Sequence, residues 1–390
     1  MKELFIKTEK QREWLEKLKA LEQPLKEHAQ ENDEQSLFPH AHIQKLREIG
    51  YTKITLPKEH GGEGLDIYDA VLFQETLGSY DGSTALSIGW TLSTVGDLFE
   101  SKSWPQEKLE QFAKEVANGA IINKVASEVV TGSPIRGGRP ATTAVKKGNK
   151  WVINGHKSYA TCSPELDYFI ITAWIPELEK VGNFLIHKDT EGFSIKEAWD
   201  VVAMKATGSH DLILDNVEVD ESALVEIPEY KTGFKLNGWL LIIPATYLGV
   251  AQAARDYAVE FANRHSPNSI EGTIAQLPNV QTLIGEIDLL LTQARFAIYG
   301  AAQGYIDLRN KGELEAKAEL IVNAVNIAKY TVINNAINVV DKAMRVVGIK
   351  SLQRNNPLQR YYRDVRAGLH NPPMDDLTIK KLAEYALKQS

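Results

Sequence analysis

Residues 150–174 read KWVINGHKSYATCSPELDYFIITAW, and this stretch differs in pattern from the sequence on both sides of it. Two runs of β-branched and aromatic residues are separated by Ser, Pro and Asp, which predicts two strands joined by a turn. The runs NFLIHKD and DLILDNVEV follow with the same character. We therefore expect residues 120–228 to form an antiparallel sheet or a small β-barrel-like domain.

Helical spacing of apolar residues characterises both flanks of this β region. Residues 1–119 contain REWLEKLKAL and HAHIQKLREIG, with a loop rich in glycine at LPKEHGGEGL. Residues 229–390 contain three long periodic segments with Ala-rich faces, which predicts an antiparallel bundle. The expected fold class is α+β, with an N-terminal all-helical domain, a middle antiparallel β-barrel-like domain and a C-terminal four-helix bundle.

Composition limits the classes of function. The 390-residue chain has a formal net charge of −7, which gives no electrostatic footprint for nucleic acid. Its one cysteine, Cys162, excludes an intramolecular disulfide and fits a reducing compartment. The most apolar segment, Trp239 to Ala254, has 16 residues and includes Pro244, so a buried helix is expected rather than a membrane span. The charged N-terminus lacks a signal-peptide pattern, and we expect a cytoplasmic protein.

Two common cofactor signatures are missing from the sequence. No Gly-x-Gly-x-x-Gly motif follows a predicted strand, so a nicotinamide-binding Rossmann domain is not indicated. The nine histidines show no metal-ligand spacing, and His40 and His42 fall on different faces of a predicted helix. We therefore expect no bound metal.

Five segments, taken in order, resemble landmarks of the acyl-CoA dehydrogenase superfamily of flavoproteins. They are ITLPKEHGGEGLD, NKVASEVVTGSP, residues 150–173, MKATGSHDLILDNVEV and QRYYRDVRA. The resemblance covers nearly the whole chain and implies an FAD-dependent oxidoreductase. It also implies a homo-oligomer, a dimer or a tetramer, to which the Ala-rich C-terminal helices are suited.

The resemblance assigns the flavin ring to two segments. Ser127 would contact the isoalloxazine, Ser133 would face the pyrophosphate or the substrate, and Thr131 and Gly132 would complete this polar loop. Tyr159 would cover one face of the ring. Thr161 would donate its hydroxyl near flavin N5, where electron density rises on reduction. Val129 and Val130 replace the proline and a glycine of the family pattern.

The other half of FAD is assigned to the C-terminal helices by the same resemblance. Arg264 would reach the pyrophosphate, in many members across a subunit boundary, because a guanidinium matches phosphate oxygens. Arg345, Val347 and Gly348 would lie nearest the ADP portion. Pro278 stands where the family has a glutamine, and the aromatic-glycine pair that follows this arginine is missing.

The catalytic base departs from the family pattern. In the family, a glutamate that follows an Arg-Asp pair removes the α-proton of a thioester, and other members carry the base on the first long helix of the bundle. Counting from Arg363-Asp364 places Pro372 at the first position, and the second falls near Trp239 or Leu240. None of these side chains ionises.

Two functions follow from this departure. In the first, the protein oxidises an acyl-CoA or an analogue with a displaced base (His370, Asp375 or Asp376) and passes electrons to an electron-transfer flavoprotein. In the second, it is a flavin monooxygenase that acts on an aromatic or sulfur-containing substrate with a flavin reductase, since RDVRAGLHNP resembles that branch. We favour the first, with His370 as the titrating group nearest the reactive end of the flavin. A cofactor-free binding protein is a third reading, against which Ser127, Ser133, Thr161 and Arg264 argue.

Overall fold

The computed structural model describes residues 1–131, 138–229 and 236–388. The N-terminal part is helical, and its helices begin at side-chain caps where the sequence supplies them: Thr8 forms a capping box with Gln11, and Asp66 and Asp81 cap two later helices. The helices are α1 (Glu9–Lys19), α2 (Glu22–Gln35), α3 (His40–Glu48), α4 (Ile67–Tyr80), α5 (Gly82–Ser101) and α6 (Gln106–Ala117).

The middle part is an eight-stranded sheet that follows helix α6. Its strands are β1 (Ile122–Val125), β2 (Thr143–Lys147), β3 (Lys150–Ala160), β4 (Tyr168–Ile175), β5 (Lys180–His187), β6 (Phe193–Lys196), β7 (His210–Asp220) and β8 (Leu224–Glu226). The strand order is β6-β7-β3-β2-β4-β5-β8, with β1 beside β4. Pairing is antiparallel except for β1 with β4 and β2 with β4, which are parallel.

Strand β3 is irregular at its end. The register between β3 and β7 shifts between Lys157 and Ala160, and Tyr159 has a φ of 64°. An irregularity of this kind redirects a side chain out of the regular alternation of the strand. Tyr159 is accordingly 61% exposed, although Ser158 and Ala160 on either side of it are buried.

The C-terminal part is helical, as predicted. It comprises α7 (Ile242–Arg264), α8 (Pro278–Asn310), α9 (Ala318–Val347), α10 (Pro357–Ala367) and α11 (Asp375–Lys388). Helix α9 packs against the other four. The helix–sheet–helix fold class is therefore confirmed, and none of the helices in the described residues is long and apolar enough to span a membrane.

The N-terminal helices and the bundle share a core because α4 crosses α7 at close range. A Cβ atom on Gly249 would lie 2.2 Å from the Glu75 carbonyl oxygen, and one on Gly78 would lie 2.4 Å from that of Thr246. Only glycine at both positions lets the two backbones come this close. The crossing places the N-terminal half of α7 against α4.

Candidate functional site

Three of the predicted flavin contacts come together at one edge of the sheet. The Ser158 N–H donates to the Ser127 carbonyl oxygen at 3.0 Å, which aligns the segment after β1 with the end of β3. The Asn123 side chain donates to the Thr161 carbonyl oxygen at 3.1 Å. We call Ser127, Tyr159 and Thr161 the sheet-edge site. It combines an exposed aromatic ring with a half-buried and a buried hydroxyl, which suits a flat aromatic ligand with a polar edge.

Behind this site lies a row of hydrogen-bonded hydroxyl groups, which we call the hydroxyl chain. Thr161 Oγ1 is 2.9 Å from Ser209 Oγ, and Ser209 Oγ is 2.8 Å from Thr207 Oγ1. The Thr207 hydroxyl donates to the Met204 carbonyl oxygen at 2.9 Å. All three hydroxyl residues are at most 8% exposed, so water has little access to the chain.

The peptide groups of Met204 connect the hydroxyl chain to helix α10. The Trp199 indole N–H donates to the Met204 carbonyl oxygen at 3.0 Å, and the Met204 N–H donates to Asp364 Oδ1 at 2.7 Å. Burial raises the pKa of Asp364 to about 7, although Arg360 and the Met204 N–H oppose that shift. Asp364 therefore fixes the turn on which Thr207 lies.

A buried ion pair supports the sheet-edge site from within the sheet. The Lys157 ammonium group donates to Glu128 Oε1 at 2.6 Å, and both side chains are about fully buried. The Ala141 and Thr142 N–H groups also donate to the Glu128 carboxylate, at 2.7 and 3.1 Å. Burial alone would raise the pKa of Glu128, but these hydrogen bonds outweigh it and lower the pKa to about 2.

The same carboxylate connects the two ends of the predicted flavin loop. The Thr131 hydroxyl donates to Glu128 Oε2 at 3.1 Å, on the opposite side of the loop from Ala141. The predicted contacts Gly132 and Ser133 lie outside the described residues. The buried Glu128 carboxylate thus holds together the two described ends of this loop, at Thr131 and at Ala141.

The loop that carries the proposed base differs in character. Helix α10 ends at Ala367, a 3-10 turn covers Gly368–His370, and helix α11 begins at Asp375. The Tyr247 hydroxyl of α7 donates to Asn371 Oδ1 at 2.6 Å and thereby fixes the middle of the loop. The His370 side chain is exposed.

The two aspartates after this loop have separate positions at the start of α11. Asp375 accepts hydrogen bonds from Lys329 at 3.2 Å and from Asn334 at 3.0 Å, both on α9. Asp376 is exposed. At the other family position for the base, the Trp239 indole N–H donates to Glu100 Oε2 at 3.3 Å.

The Arg-Asp pair before the loop connects separate elements. Arg363 forms a two-point ion pair with Asp33 of α2, with 2.9 Å between Nη1 and Oδ1, and also donates to the Val202 carbonyl oxygen. Together with the Asp364 contact to Met204, this pair joins α10 to α2 and to the segment between β6 and β7. Arg363 and Asp364 therefore fix the segment that carries Met204, and this positions the hydroxyl chain.

The remaining predicted contacts gather at the far end of the helical bundle, and we call them the bundle-end group. Arg264 is exposed at the end of α7, pairs with Glu260 at 2.5 Å and borders a shallow cavity of about 260 Å³. Lys350 lies 5.6 Å above the Phe261 ring, so the turn after α9 reaches the same place. The group's other members are Arg345 and Val347, in the last turn of α9, and Gly348, which begins the 3-10 turn that follows.

Helix α7 separates the two groups. Tyr247, beside the loop of Asn371, and Arg264 are 17 positions apart in α7, which corresponds to about 26 Å along the axis at about 1.5 Å per residue. The Met204 turn, to which the hydroxyl chain is bonded, lies beside Val250 of α7, because both side chains approach Gly82. The hydroxyl chain therefore lies beside the N-terminal half of α7, and the bundle-end group lies at its C-terminal end.

Several residues of the site had no signal in the sequence analysis. Ser209, Thr207 and Tyr247 were not predicted to belong to the site. Glu128 lies in the predicted flavin loop, but the sequence analysis gave it no role. One signal was available: Lys157 occupies an inward position in an alternating strand, and a lysine there needs a buried partner. In the described ranges, no group of three or more His, Cys, Asp or Glu residues is placed to hold a metal ion.

The helix–sheet–helix architecture is that of an acyl-CoA dehydrogenase-type flavoenzyme. Three family profiles match successive parts of the chain: the acyl-CoA dehydrogenase N-terminal domain over residues 8–118, the middle domain over 124–217 and the C-terminal domain over 241–371. The chain belongs to the acyl-CoA dehydrogenase family and is an oxidoreductase of the flavoprotein class.

Individual relatives agree with this assignment. The chain is 54% identical, over 99% of both chains, to a Bacillus subtilis (strain 168) protein named "Putative acyl-CoA dehydrogenase YdbM". It is 28% identical to the 3-(aryl)acrylate reductase of Clostridium sporogenes (strain ATCC 15579), over 88% of this chain and 89% of the relative. It is also similar to the structure of KijD3 in complex with FMN and a dTDP-amino-keto-sugar, with 25% identity, a TM-score of 0.86 and coverage of 98% and 95%.

Proposed function

We propose that this protein is an FAD-dependent oxidoreductase that oxidises an acyl-CoA or a similar thioester between its α and β carbons. The observation that carries the proposal is the sheet-edge site, in which Ser127, Tyr159 and Thr161 converge beside a buried hydroxyl chain. The 54% identity to a relative named as a putative acyl-CoA dehydrogenase supports the substrate class.

The chain's own residues would hold the cofactor in two places. FAD, when bound, supplies an acceptor for the two electrons released by the substrate. Ser127, Tyr159 and Thr161 would bind its ring, and Thr131, Gly132 and Ser133 would complete the polar loop. The bundle-end group would bind the ADP half: Arg264 at the pyrophosphate, and Arg345, Val347 and Gly348 beside it.

A second copy of the chain would complete the cofactor site. In one chain the hydroxyl chain behind the ring site lies beside the N-terminal half of α7, and Arg264 ends that helix. An FAD ring at the sheet edge would therefore take its ADP contacts from a partner's bundle end. Exposed apolar side chains one heptad apart, Leu289 and Phe296 on α8 and Leu320 and Ile327 on α9, support association through the bundle. We therefore propose a homo-oligomer, a dimer or a tetramer.

His370 is the proposed acid–base group. Neither Pro372 nor Trp239 nor Leu240 ionises, and His370 lies on the loop that the Tyr247–Asn371 hydrogen bond fixes. Its side chain is exposed, so a substrate can reach the imidazole ring. Asp376 is the competing group. Asp375 is less suited to the task because Lys329 and Asn334 already engage its carboxylate.

Anaerobic titration of the FAD-loaded protein with a panel of acyl-CoA thioesters tests this function. We expect at least one thioester to bleach the visible flavin absorbance, with an electron-transfer flavoprotein restoring it. Absence of bleaching by every thioester would contradict the proposal.

A flavin monooxygenase is the second candidate function. The missing glutamate and the likeness to KijD3 with FMN favour it. In this case a flavin reductase would be the partner, and a small aromatic or sulfur-containing compound the substrate. Oxygen-dependent product formation with externally supplied reduced flavin, without bleaching by thioesters, is the outcome that would select this function.

A further inference from the structure

The distances between oxygen atoms leave the donors and acceptors of the hydroxyl chain open, but the carbonyl group at its end determines them. A carbonyl oxygen can only accept, so the Thr207 hydroxyl must donate its proton to the Met204 carbonyl oxygen, 2.9 Å away. A hydroxyl has one proton, so Thr207 has none left for Ser209. In the 2.8 Å contact between them, Ser209 is therefore the donor and Thr207 the acceptor.

Because each hydroxyl has one proton, the donor in the contact between Ser209 and Thr161 is also determined. Ser209 has given its proton to Thr207, so in the 2.9 Å contact with Thr161 it can only accept. Thr161 is then the donor, and its proton lies on the side of Ser209. What Thr161 Oγ1 has left for a ligand at the sheet edge is a lone pair.

The reverse direction would be unfavourable. If Thr207 donated to Ser209, its oxygen and the Met204 carbonyl oxygen would lie 2.9 Å apart with no proton between them. That carbonyl already has its orientation set by the Trp199 indole N–H and by the Thr207 N–H, at 3.0 and 3.2 Å. Two buried oxygens in contact with no proton between them are as unfavourable as a buried polar group that has lost its hydrogen bond.

We propose that Ser209 and Thr207 are positioning residues that turn the Thr161 proton away from the cofactor, so that Thr161 accepts a hydrogen bond from reduced flavin and donates none to oxidised flavin. This inference rests on the proposed flavin site. It reverses the role of donor that the family resemblance assigns to Thr161.

The consequence is a bias toward the reduced cofactor. Nitrogen N5 of a flavin carries a lone pair in the oxidised form and an N–H in the reduced form. A lone pair on Thr161 therefore matches only the reduced form, and the hydroxyl chain raises the reduction potential of the bound flavin. A chain cut at Ser209 or Thr207 frees the Thr161 proton to turn outward, which favours the oxidised form.

The experiment is a measurement of the reduction potential of bound FAD in the whole protein and in four variants. Ser209→Ala and Thr207→Val each break the chain, and Thr207→Val does so away from the ligand. Thr207→Ser keeps the hydroxyl and serves as the conservative rescue. Ser163→Ala is the matched control, because the buried Ser163 hydroxyl donates to the Gly208 carbonyl oxygen at 2.8 Å, outside the chain.

We expect Ser209→Ala and Thr207→Val to weaken the preference for reduced over oxidised FAD about tenfold, a decrease of about 30 mV for a two-electron couple. Thr207→Ser and Ser163→Ala should keep the parent potential. Unchanged or raised potentials in both chain-breaking variants, with FAD still bound, would overturn the inference and leave the proposed function standing. A parent protein that binds no flavin would overturn both. Should Ser209→Ala fail to fold, the Thr207→Val and Thr207→Ser pair decides alone.

Discussion

The sheet-edge site and the loop of His370 differ in how firmly the protein holds them. Thr161 is 8% exposed and is connected through Ser209, Thr207 and Met204 to Asp364 on α10. The His370 side chain is exposed, and the loop is fixed instead through the neighbouring Asn371. The difference teaches that Thr161, which would bind the ring, is held by buried hydrogen bonds and follows the family pattern. The part that must move a proton is open and departs from it.

The largest expected effect concerns the exposed loop of His370. With a reducing thioester in hand, His370→Ala should slow flavin reduction about a hundredfold to ten-thousandfold, the range for loss of a general acid or base. Flavin content should stay at the parent level, because His370 is outside the sheet-edge site. Rapid-mixing kinetics measure the first quantity and absorbance ratios the second.

Two controls complete that test. His187→Ala removes a half-exposed histidine on β5 and should leave the rate unchanged. Asp376→Asn should also have little effect. A loss of rate confined to Asp376→Asn would transfer the role of base to a displaced carboxylate.

The second prediction concerns the buried ion pair of Lys157 and Glu128 beneath the sheet-edge site. Lys157→Ala would leave Glu128 ionised without a cation in the sheet, and breaking a buried pair in this way costs about 3–5 kcal/mol of unfolding free energy. Denaturant titration of the apoprotein gives this value. Lys150→Ala removes one member of a half-exposed pair with Glu218 on the same sheet and should cost under about 1 kcal/mol. Equal losses in the two variants would show that the buried pair does not support the sheet.

The third prediction compares two buried carboxyl groups with opposite pKa shifts. The pKa of Glu128 is lowered to about 2, so its stabilising contribution is present above the ordinary pKa of about 4 and disappears as pH falls toward 2. The pKa of Asp364 is raised to about 7, so the folded state keeps a proton that the unfolded state loses. Its contribution therefore decreases as pH rises from about 4 to 7, by on the order of 4 kcal/mol in all.

Unfolding free energies measured across pH separate the two carboxyl groups. Asp364→Asn should flatten the curve between pH about 4 and about 7, and Glu128→Gln should flatten it below about 4. The two changes are expected in different windows and with opposite signs of slope. A curve that Asp364→Asn leaves unaltered between those values would contradict the account of Asp364.

Sequence reasoning predicted the fold more completely than the site. The helix–sheet–helix order followed from periodicity because long helices and alternating strands leave distinct patterns. The convergence of Ser127 with Thr161 followed from a resemblance, and the structure adds the hydrogen bond that aligns their segments. Ser209 and Tyr247 could not be predicted, since their roles depend on contacts between distant segments that no local pattern records. The His370 loop could be predicted as a loop, but its exposure could not.

The account's central claim is that the sheet edge binds the ring of FAD while the bundle end of a partner copy binds its ADP half. The most direct test is the affinity of the apoprotein for FAD and for FMN, with the Arg264→Ala variant as the control. We predict that FAD binds more tightly than FMN by about tenfold to a hundredfold, the range for one charge-assisted phosphate contact, and that Arg264→Ala removes most of that difference. Equal binding of FMN and FAD by the parent protein, or an unchanged preference in Arg264→Ala, would contradict the claim.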